Sequence, residues 1–401
     1  MQPNITTDSP DNAEPFNSAE WGAVLAMSLG AFVLVASEFM PVSLLTPIAA
    51  DLHISEGQAG QAVSVSGAFA LLTSLFIASL ASRFDRKALL LALTLLMIAS
   101  GTVAAFAPNY ATFMAGRALI GVAIGGFWSM SAATAMRLVP NHHVPRALAI
   151  VNGGNALATV VAAPLGSFLG AVVGWRWAFF AMIPIAAIAF LWKLLSLPSM
   201  KAQQSKPRNA FKLLKRTTVA LGMASVSLFF MGQFALFTYL RPFLESVTHV
   251  GASMLSVILL IIGVAGFVGT ALIGAFLKDS LYRTLVVIPV LMTLIAGALV
   301  AFGSSVMVAT VLLGIWGLVA TAAPVAWWMW LARTLPNDAE AGGGLIVAVV
   351  QFAIMLGAVI GGALFDWYGY RATFGMSAAL LTTAALLAML AARSESRHAI
   401  R

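Results

Sequence analysis

The sequence of 401 residues contains no cysteine, which excludes disulfides, a thiol nucleophile and any cysteine metal site. It is also poor in charge, with 9% Asp, Glu, Lys and Arg against the roughly 25% of soluble domains, and that excludes a water-soluble globular fold. Histidine is scarce and badly placed for metal chemistry: His53, His142, His143, His249 and His398 all fall in polar connections between apolar runs. No GxxxxGK[ST], HExxH or GxSxG pattern occurs, so neither ATP-driven pumping nor hydrolytic chemistry has a basis in the chain. No cofactor or metal is implied, and an enzyme is not expected.

What the chain has in abundance is apolar surface: 61% of residues are hydrophobic, and a mean hydropathy of +0.96 is spread over the whole length. Twelve apolar runs, each long enough to cross the hydrocarbon of a bilayer as a helix, lie near 21–45, 58–80, 88–107, 111–136, 147–172, 178–197, 218–240, 252–276, 284–302, 306–332, 342–365 and 372–392. The expected fold is an all-α integral membrane protein of twelve transmembrane helices. Residues 1–20 are polar and acidic without Lys or Arg, so they lack the basic start of a signal peptide and the first helix is expected to stay uncleaved.

The basic residues set the orientation. An even number of spans places both ends on one side, and the connections on that side hold Arg83, Arg86, Lys87, Arg137, Arg146, seven residues from Lys193 to Arg216, Lys278, Arg283, Arg333, Arg393, Arg397 and Arg401. The opposite side holds Arg176, Arg241 and Arg371. Both termini are therefore expected in the cytoplasm. The excess of positive charge reads as topology, and no nucleic-acid partner is expected.

The long polar connection SMKAQQSKPRNAFKLLKR falls at the midpoint and has a linker composition. It divides the chain into a tail (1–20), a six-helix bundle (21–198), a linker (199–217), a second six-helix bundle (218–393) and a short tail (394–401). The halves repeat each other. GWRWAF from Gly174 recurs as GYRATF from Gly369, Arg137-Leu-Val-Pro140 as Arg333-Thr-Leu-Pro336, Glu38-Phe39 as Gln233-Phe234, Pro47 as Pro242 and Asn155 as Gln351, all at offsets of 195 or 196. Two parallel repeats of six helices are the layout of transporters whose substrate site lies at mid-membrane between the halves.

Three stretches carry a specific resemblance. The run from Ala111 to Pro140, with Arg117 and Gly121, resembles the Arg-xxx-Gly signature of the fourth helix in the major facilitator superfamily. Ala163-Pro164-Leu165-Gly166 resembles the glycine-proline antiporter motif of its fifth helix. Leu80 to Lys87 resembles the loop motif after its second helix, with Arg83, Arg86 and Lys87 kept, Ser82 where the family usually has Asp, and Asp85 where it usually has Gly. Within that superfamily SEFMPVSLLTPIAADLHISEGQAGQ, GGFWSMSA and TYLRPF are most similar to bacterial purine ribonucleoside efflux pumps of the drug/proton antiporter branch, and sugar exporters share much of the first string. The resemblance implies a major facilitator fold, a monomer in the bacterial inner membrane, and efflux of purine ribonucleosides in exchange for protons, with sugars or amphipathic drugs as the alternative cargo.

Of the charged residues, only Glu38 and Arg117 read as lying well inside apolar spans, where each is costly unless it faces a cavity or a partner. A carboxyl at that depth is a candidate to load and release a proton, and Arg117 is a fixed charge able to bias it. The static alternatives are an ion pair between the two, or hydrogen bonds to backbone carbonyls. One acid and one arginine suit a neutral polar solute, and both purine nucleosides and sugars qualify. Candidate contacts are the aromatic residues Phe127, Trp128, Phe237, Tyr239, Trp327 and Trp328, able to stack on a base, and the amides Asn152, Asn155, Gln233 and Gln351. Trp330 is expected to be an interfacial anchor.

Overall fold

The computed structural model describes residues 18–81, 83–200, 210–335 and 338–399. Within a bilayer each backbone N–H and C=O must find its partner inside the segment, and the described residues are helical almost throughout. Twelve helices are long and apolar enough to span a membrane: α1 (Trp21–Ser43), α2 (Glu56–Ile77), α3 (Arg86–Ala105), α4 (Tyr110–Leu138), α5 (Arg146–Val172), α6 (Trp175–Ser196), α7 (Thr217–Ser246), α8 (Ala252–Gly274), α9 (Ser280–Phe302), α10 (Val306–Thr334), α11 (Gly342–Tyr368) and α12 (Tyr370–Glu395). Most of the N-terminal tail, Ser82 of the loop motif, residues 201–209 of the linker, and Pro336 of the repeat lie outside the described residues.

Local chemistry sets several ends. Asp85 caps α3 by accepting from the Lys87 N–H at 2.7 Å, and Asn109 caps α4 by accepting from the Thr112 N–H at 2.9 Å. Gly174 and Gly369, the first residues of the GWRWAF and GYRATF repeats, both have positive φ (90° and 75°), a conformation that costs any residue with a Cβ. The repeat therefore preserves a turn. A second matched pair, His53 (φ 55°) and His249 (φ 58°), closes the corresponding loops after α1 and α7.

The first helix of each half differs from expectation in the same way. Rather than ending near 45, the chain breaks at Leu44 and continues as a short helix, Leu45–Leu52. In α7 the break falls at Tyr239, followed by Leu240–Ser246. α8 and α9 are two helices that meet at a kink, where Ser280 departs from helical angles (φ −141°, ψ 41°).

Two bundles of six result. In the first, α1 packs on α4, α5 and α6, while α2 and α3 pack on α4; in the second, α7 packs on α11 and α12, and the α8–α9 pair on α10 and α12. The bundles meet where α2 lies along α11 and α5 along α8. Gly263 of α8 rests on the backbone of Val160, whose carbonyl lacks a helical donor because Pro164 stands four residues on.

Chain alternation gives the molecule a linker end, carrying Leu197–Met200, and an opposite end, carrying Asp366. Among hydrogen bonds whose partners are both described, those joining the bundles gather at the Asp366 end. Ser55 Oγ donates to Asp366 at 2.5 Å and the Gly57 N–H donates to its other oxygen at 2.9 Å. Arg241 donates to the Ser43 carbonyl. Asp366 thus caps the amino terminus of α2, a helix of the other bundle, where a carboxylate is favoured by the helix dipole. A surface recess of about 470 Å³ sits over this latch, lined by Thr46, Ile54, Glu56 and Phe365 among others, and does not reach Glu38.

Candidate functional site

The site begins with a proline. Pro41 has no N–H, so the Ser37 carbonyl four residues earlier in α1 loses its helical donor. Arg117 of α4 supplies one: its Nη1 donates to Ser37 O at 2.7 Å. Its Nη2 donates to Glu38 O at 2.9 Å and Ser66 Oγ at 3.2 Å, and its Nε to Ala62 O at 3.0 Å. The side chain is 1% exposed. Four acceptors from α1 and α2 satisfy this buried cation, so the guanidinium binds backbone carbonyls as in the static alternative, and among the described ion pairs there is none between Arg117 and the Glu38 carboxylate.

Glu38 is consequently left with its carboxyl uncommitted to a charge partner. It is 5% exposed, about five residues or 8 Å inside the Ser43 end of α1. Gln351 of α11 presents its amide to the carboxyl, and Arg117 acts on it electrostatically. This junction joins the two bundles in the half of the membrane nearer the Asp366 end. Gln351 Oε1 and Gln233 Oε1 are both buried without a hydrogen-bond partner among the described residues, a costly condition for an amide and an open acceptor for a solute bearing N–H or O–H groups. The adjoining wall is aromatic. Phe39 of α1 stacks on Phe234 of α7 (centroids 5.6 Å) and meets Phe237 edge-on at 6.5 Å.

The other candidates are distributed more widely. Phe127 is buried and packs edge-on against half-buried Trp128 (5.5 Å). Asn152 is exposed and donates to Leu148 O at 2.9 Å. Asn155 is half-buried, and its carbonyl accepts from Thr159. Tyr239 is fully buried at the break in α7, donating to Ala358 O at 2.7 Å and lying 3.5 Å from Gly57 O, which places it in the latch region. Trp327 is buried in the second bundle's core and Trp328 is 48% exposed. Pro164 and Gly166 bring α5 onto the end of α1, where a Cβ at Gly166 would meet Ser43 Oγ at 2.6 Å. In the loop motif Arg83 is exposed, and the Arg86 N–H donates to Met200 O at 3.1 Å. Burial pushes the Asp85 carboxyl up, but hydrogen bonds from Ser199 and the Lys87 N–H outweigh it and hold Asp85 below the usual carboxylate range.

Two expectations are corrected. Trp330 is not an interfacial anchor: it is fully buried, its indole N–H donates to Tyr282 Oη at 3.1 Å, and its ring meets Trp327 at 5.7 Å. Nor are Glu38 and Arg117 alone inside. Lys193, counted from sequence with the linker charges, lies within α6 and is 0% exposed, and Arg241 is 7% exposed. The sequence signal for Lys193 was its place three residues inside an apolar run.

The Major Facilitator Superfamily profile matches residues 27–346, and the chain belongs to that family. It is a multi-pass membrane transporter and not an enzyme. Its relatives include the "Transcription regulatory protein OpdE" of Pseudomonas aeruginosa, 59% identical over 98% of this chain and 99% of that protein. The "Purine ribonucleoside efflux pump NepI" of Salmonella typhimurium is 41% identical over 92% of this chain and 93% of that protein. Among solved structures, a bacterial homologue of the human lysosomal transporter Spinster, in an inward-facing and unoccupied conformation, superposes with a TM-score of 0.75 (15% identity, 94% of this chain, 98% of that one). A D-xylose-proton symporter superposes with a TM-score of 0.71 (15% identity, 92% and 97%). At these identities the structural likeness shows the fold.

Proposed function

We propose that this chain exports purine ribonucleosides such as inosine and guanosine across the bacterial inner membrane in exchange for protons, with Glu38 as the proton carrier. The observation that carries the reading is the Glu38 carboxyl, buried at the junction of the bundles, facing the Gln351 amide of the other half and free of an ion-pair partner. The 41% identity to proteins named purine ribonucleoside efflux pumps supports this cargo and direction. The open acceptors on Gln233 and Gln351 suit a base edge or ribose hydroxyls, and Phe39, Phe234 and Phe237 provide flat apolar surface for a ring. The basic residues orient the linker end and both termini to the cytoplasm. With Lys193 removed from that tally the bias remains strong, and the closed Asp366 end then faces outward. A monomer encloses the complete path.

The energetics suffice. One proton entering under about 150 mV supplies roughly 3.5 kcal/mol, enough for a gradient of several hundredfold without ATP. Inside-out vesicles given a proton gradient and labelled inosine should accumulate it, unlabelled guanosine should compete while arabinose and a cationic dye do not, and Glu38→Gln should abolish accumulation. Accumulation that survives Glu38→Gln would remove Glu38 from coupling. Competition by arabinose or the dye in place of guanosine would move the cargo to sugars or amphipathic drugs.

The relative named as a transcription regulator favours one addition. Helices of membrane length account for most of the described residues, so an effect of this chain on transcription follows from the internal concentration of a solute it moves. A reporter that responds equally to wild type and Glu38→Gln would contradict this.

A further inference from the structure

Among the described residues, Lys193 is the one fully buried charged side chain that the reading above does not use. It is 0% exposed, and its amine lies deep among four helices of the first bundle. Nζ donates to Thr94 Oγ1 of α3 at 3.0 Å. It sits 5.3 Å from the centre of the Phe127 ring of α4. It also occupies the space that a Cβ on Gly30 of α1 would need, with Cε 2.8 Å from that position. Thr94 sends its own hydroxyl proton to Leu90 O at 2.7 Å, so toward the lysine it can only accept.

The two buried cations contrast sharply in how they are held. Arg117 has four acceptors, whereas Lys193 has one hydroxyl and an aromatic face, and no described carboxylate pairs with it. The charged groups on the surrounding helices are distant in register. On α1, α3, α4, α5 and α6 the sole acid is Glu38; Arg86 and Lys87 stand at the first turn of α3, Tyr110 and Arg137 at opposite ends of α4, Arg117 about two turns inside it, Arg146 at the start of α5, and Arg176 at the far end of α6. A permanent ammonium with one acceptor is a costly occupant of such a place. A group whose charge comes and goes is not: one hydrogen bond serves the free amine, and the Phe127 face is ready for the cation.

We infer that Lys193 is a second proton-exchanging group of the transport cycle, placed toward the linker end as Glu38 is placed toward the Asp366 end. The inference rests on the proton-antiport reading above. Gly30 and Glu38 are eight residues apart on α1, about 12 Å along its axis, so one helix carries both the Glu38 carboxyl and the seat of the amine. In the exchange the Nζ lone pair takes a proton from water admitted while the Asp366 end is open, and the ammonium releases that proton to water admitted at the linker end, so one proton crosses inward per cycle. No bond other than N–H forms or breaks.

The test uses the purified full-length protein in proteoliposomes with a pH-sensitive dye inside and labelled inosine as cargo, reading protons moved per inosine. Lys193→Met fixes the neutral state and Lys193→Arg fixes the charged one; both should lower the ratio about twofold, from two carriers to one. Inosine counterflow, which moves no net proton, should stay within about twofold of wild type in Lys193→Met and show that the variant is folded. An unchanged ratio in Lys193→Met would overturn the inference, as would a wild-type ratio in Lys193→Arg, the mark of a fixed cation. Glu38→Gln runs alongside. If it keeps its coupling while Lys193→Met halves the ratio, the Glu38 assignment fails and this one stands; if it loses coupling while Lys193→Met is normal, the reverse holds.

Discussion

Asp366 offers the most direct measure of what holds the two bundles together. Asp366→Ala removes the acceptor of two bonds to the other bundle, from Ser55 Oγ at 2.5 Å and the Gly57 N–H at 2.9 Å. Hydrogen bonds to a charged group contribute about 1.5–3 kcal/mol each when buried, but this carboxylate is exposed, so about 1 kcal/mol each is the appropriate scale. The sum of about 2 kcal/mol corresponds to a roughly 30-fold shift in the balance between closed and open forms of this end. Because the chain has no cysteine, a single Phe39→Cys below the latch is the only thiol present. With a membrane-impermeant maleimide applied from the Asp366 side, its labelling rate reports the open fraction. The rate should rise 10- to 30-fold on adding Asp366→Ala, and less with Asp366→Asn, whose amide oxygen still accepts one bond. Equal rates in the two backgrounds would refute the assignment of Asp366 as a latch and leave Arg241 as the contact to examine.

Arg117→Lys keeps the charge but cannot reach four acceptors on two helices; loss of about 2 kcal/mol is expected, read as a lower melting temperature in detergent together with lost inosine transport, whereas an unchanged melting temperature would contradict the bonding described. Asp85→Ala should destabilise the start of α3 by about 1 kcal/mol at neutral pH. Since the folded carboxyl titrates below its unfolded value, its contribution is complete above the ordinary carboxylate range and disappears as pH falls through the depressed value; melting curves of wild type and variant should converge there.

The membrane made most of the fold readable in the primary structure. Hydrocarbon tolerates no unpaired backbone, so spans announce themselves as apolar runs, and the matched turns at Gly174 and Gly369 survive as a repeated motif because both need positive φ. The elements that sequence reading misses have weaker signatures. The continuation of α1 past Leu44 looks like the same apolar run, and Ser280 gives no sign that α8 and α9 meet at a single kink. At the site, Glu38 and Gln351 stand out as polar residues in apolar helices. Lys193 does not, because a lysine three residues from the end of a span is expected to reach for water. Asp366 reads as a loop acid, since nothing in a single sequence says that its partner is a helix terminus 309 residues away. Phe39 and Phe234 were matched as repeat positions, but two phenylalanines among many apolar neighbours give no hint that they stack on each other.

The bonds of Arg117 have a mechanical meaning. By joining the backbones of α1 at Ser37 and Glu38 and of α2 at Ala62 to α4, the guanidinium rivets three helices into one stiff plate. The carboxyl of Glu38 is mounted on that plate beside the rivet, while Gln351 is mounted on the opposing bundle. A carboxyl so fixed does not have to swing in order to change its surroundings. On the proposed cycle, a small tilt of one plate against the other would replace the amide with water, and what Glu38 meets would become a readout of the angle between the two halves.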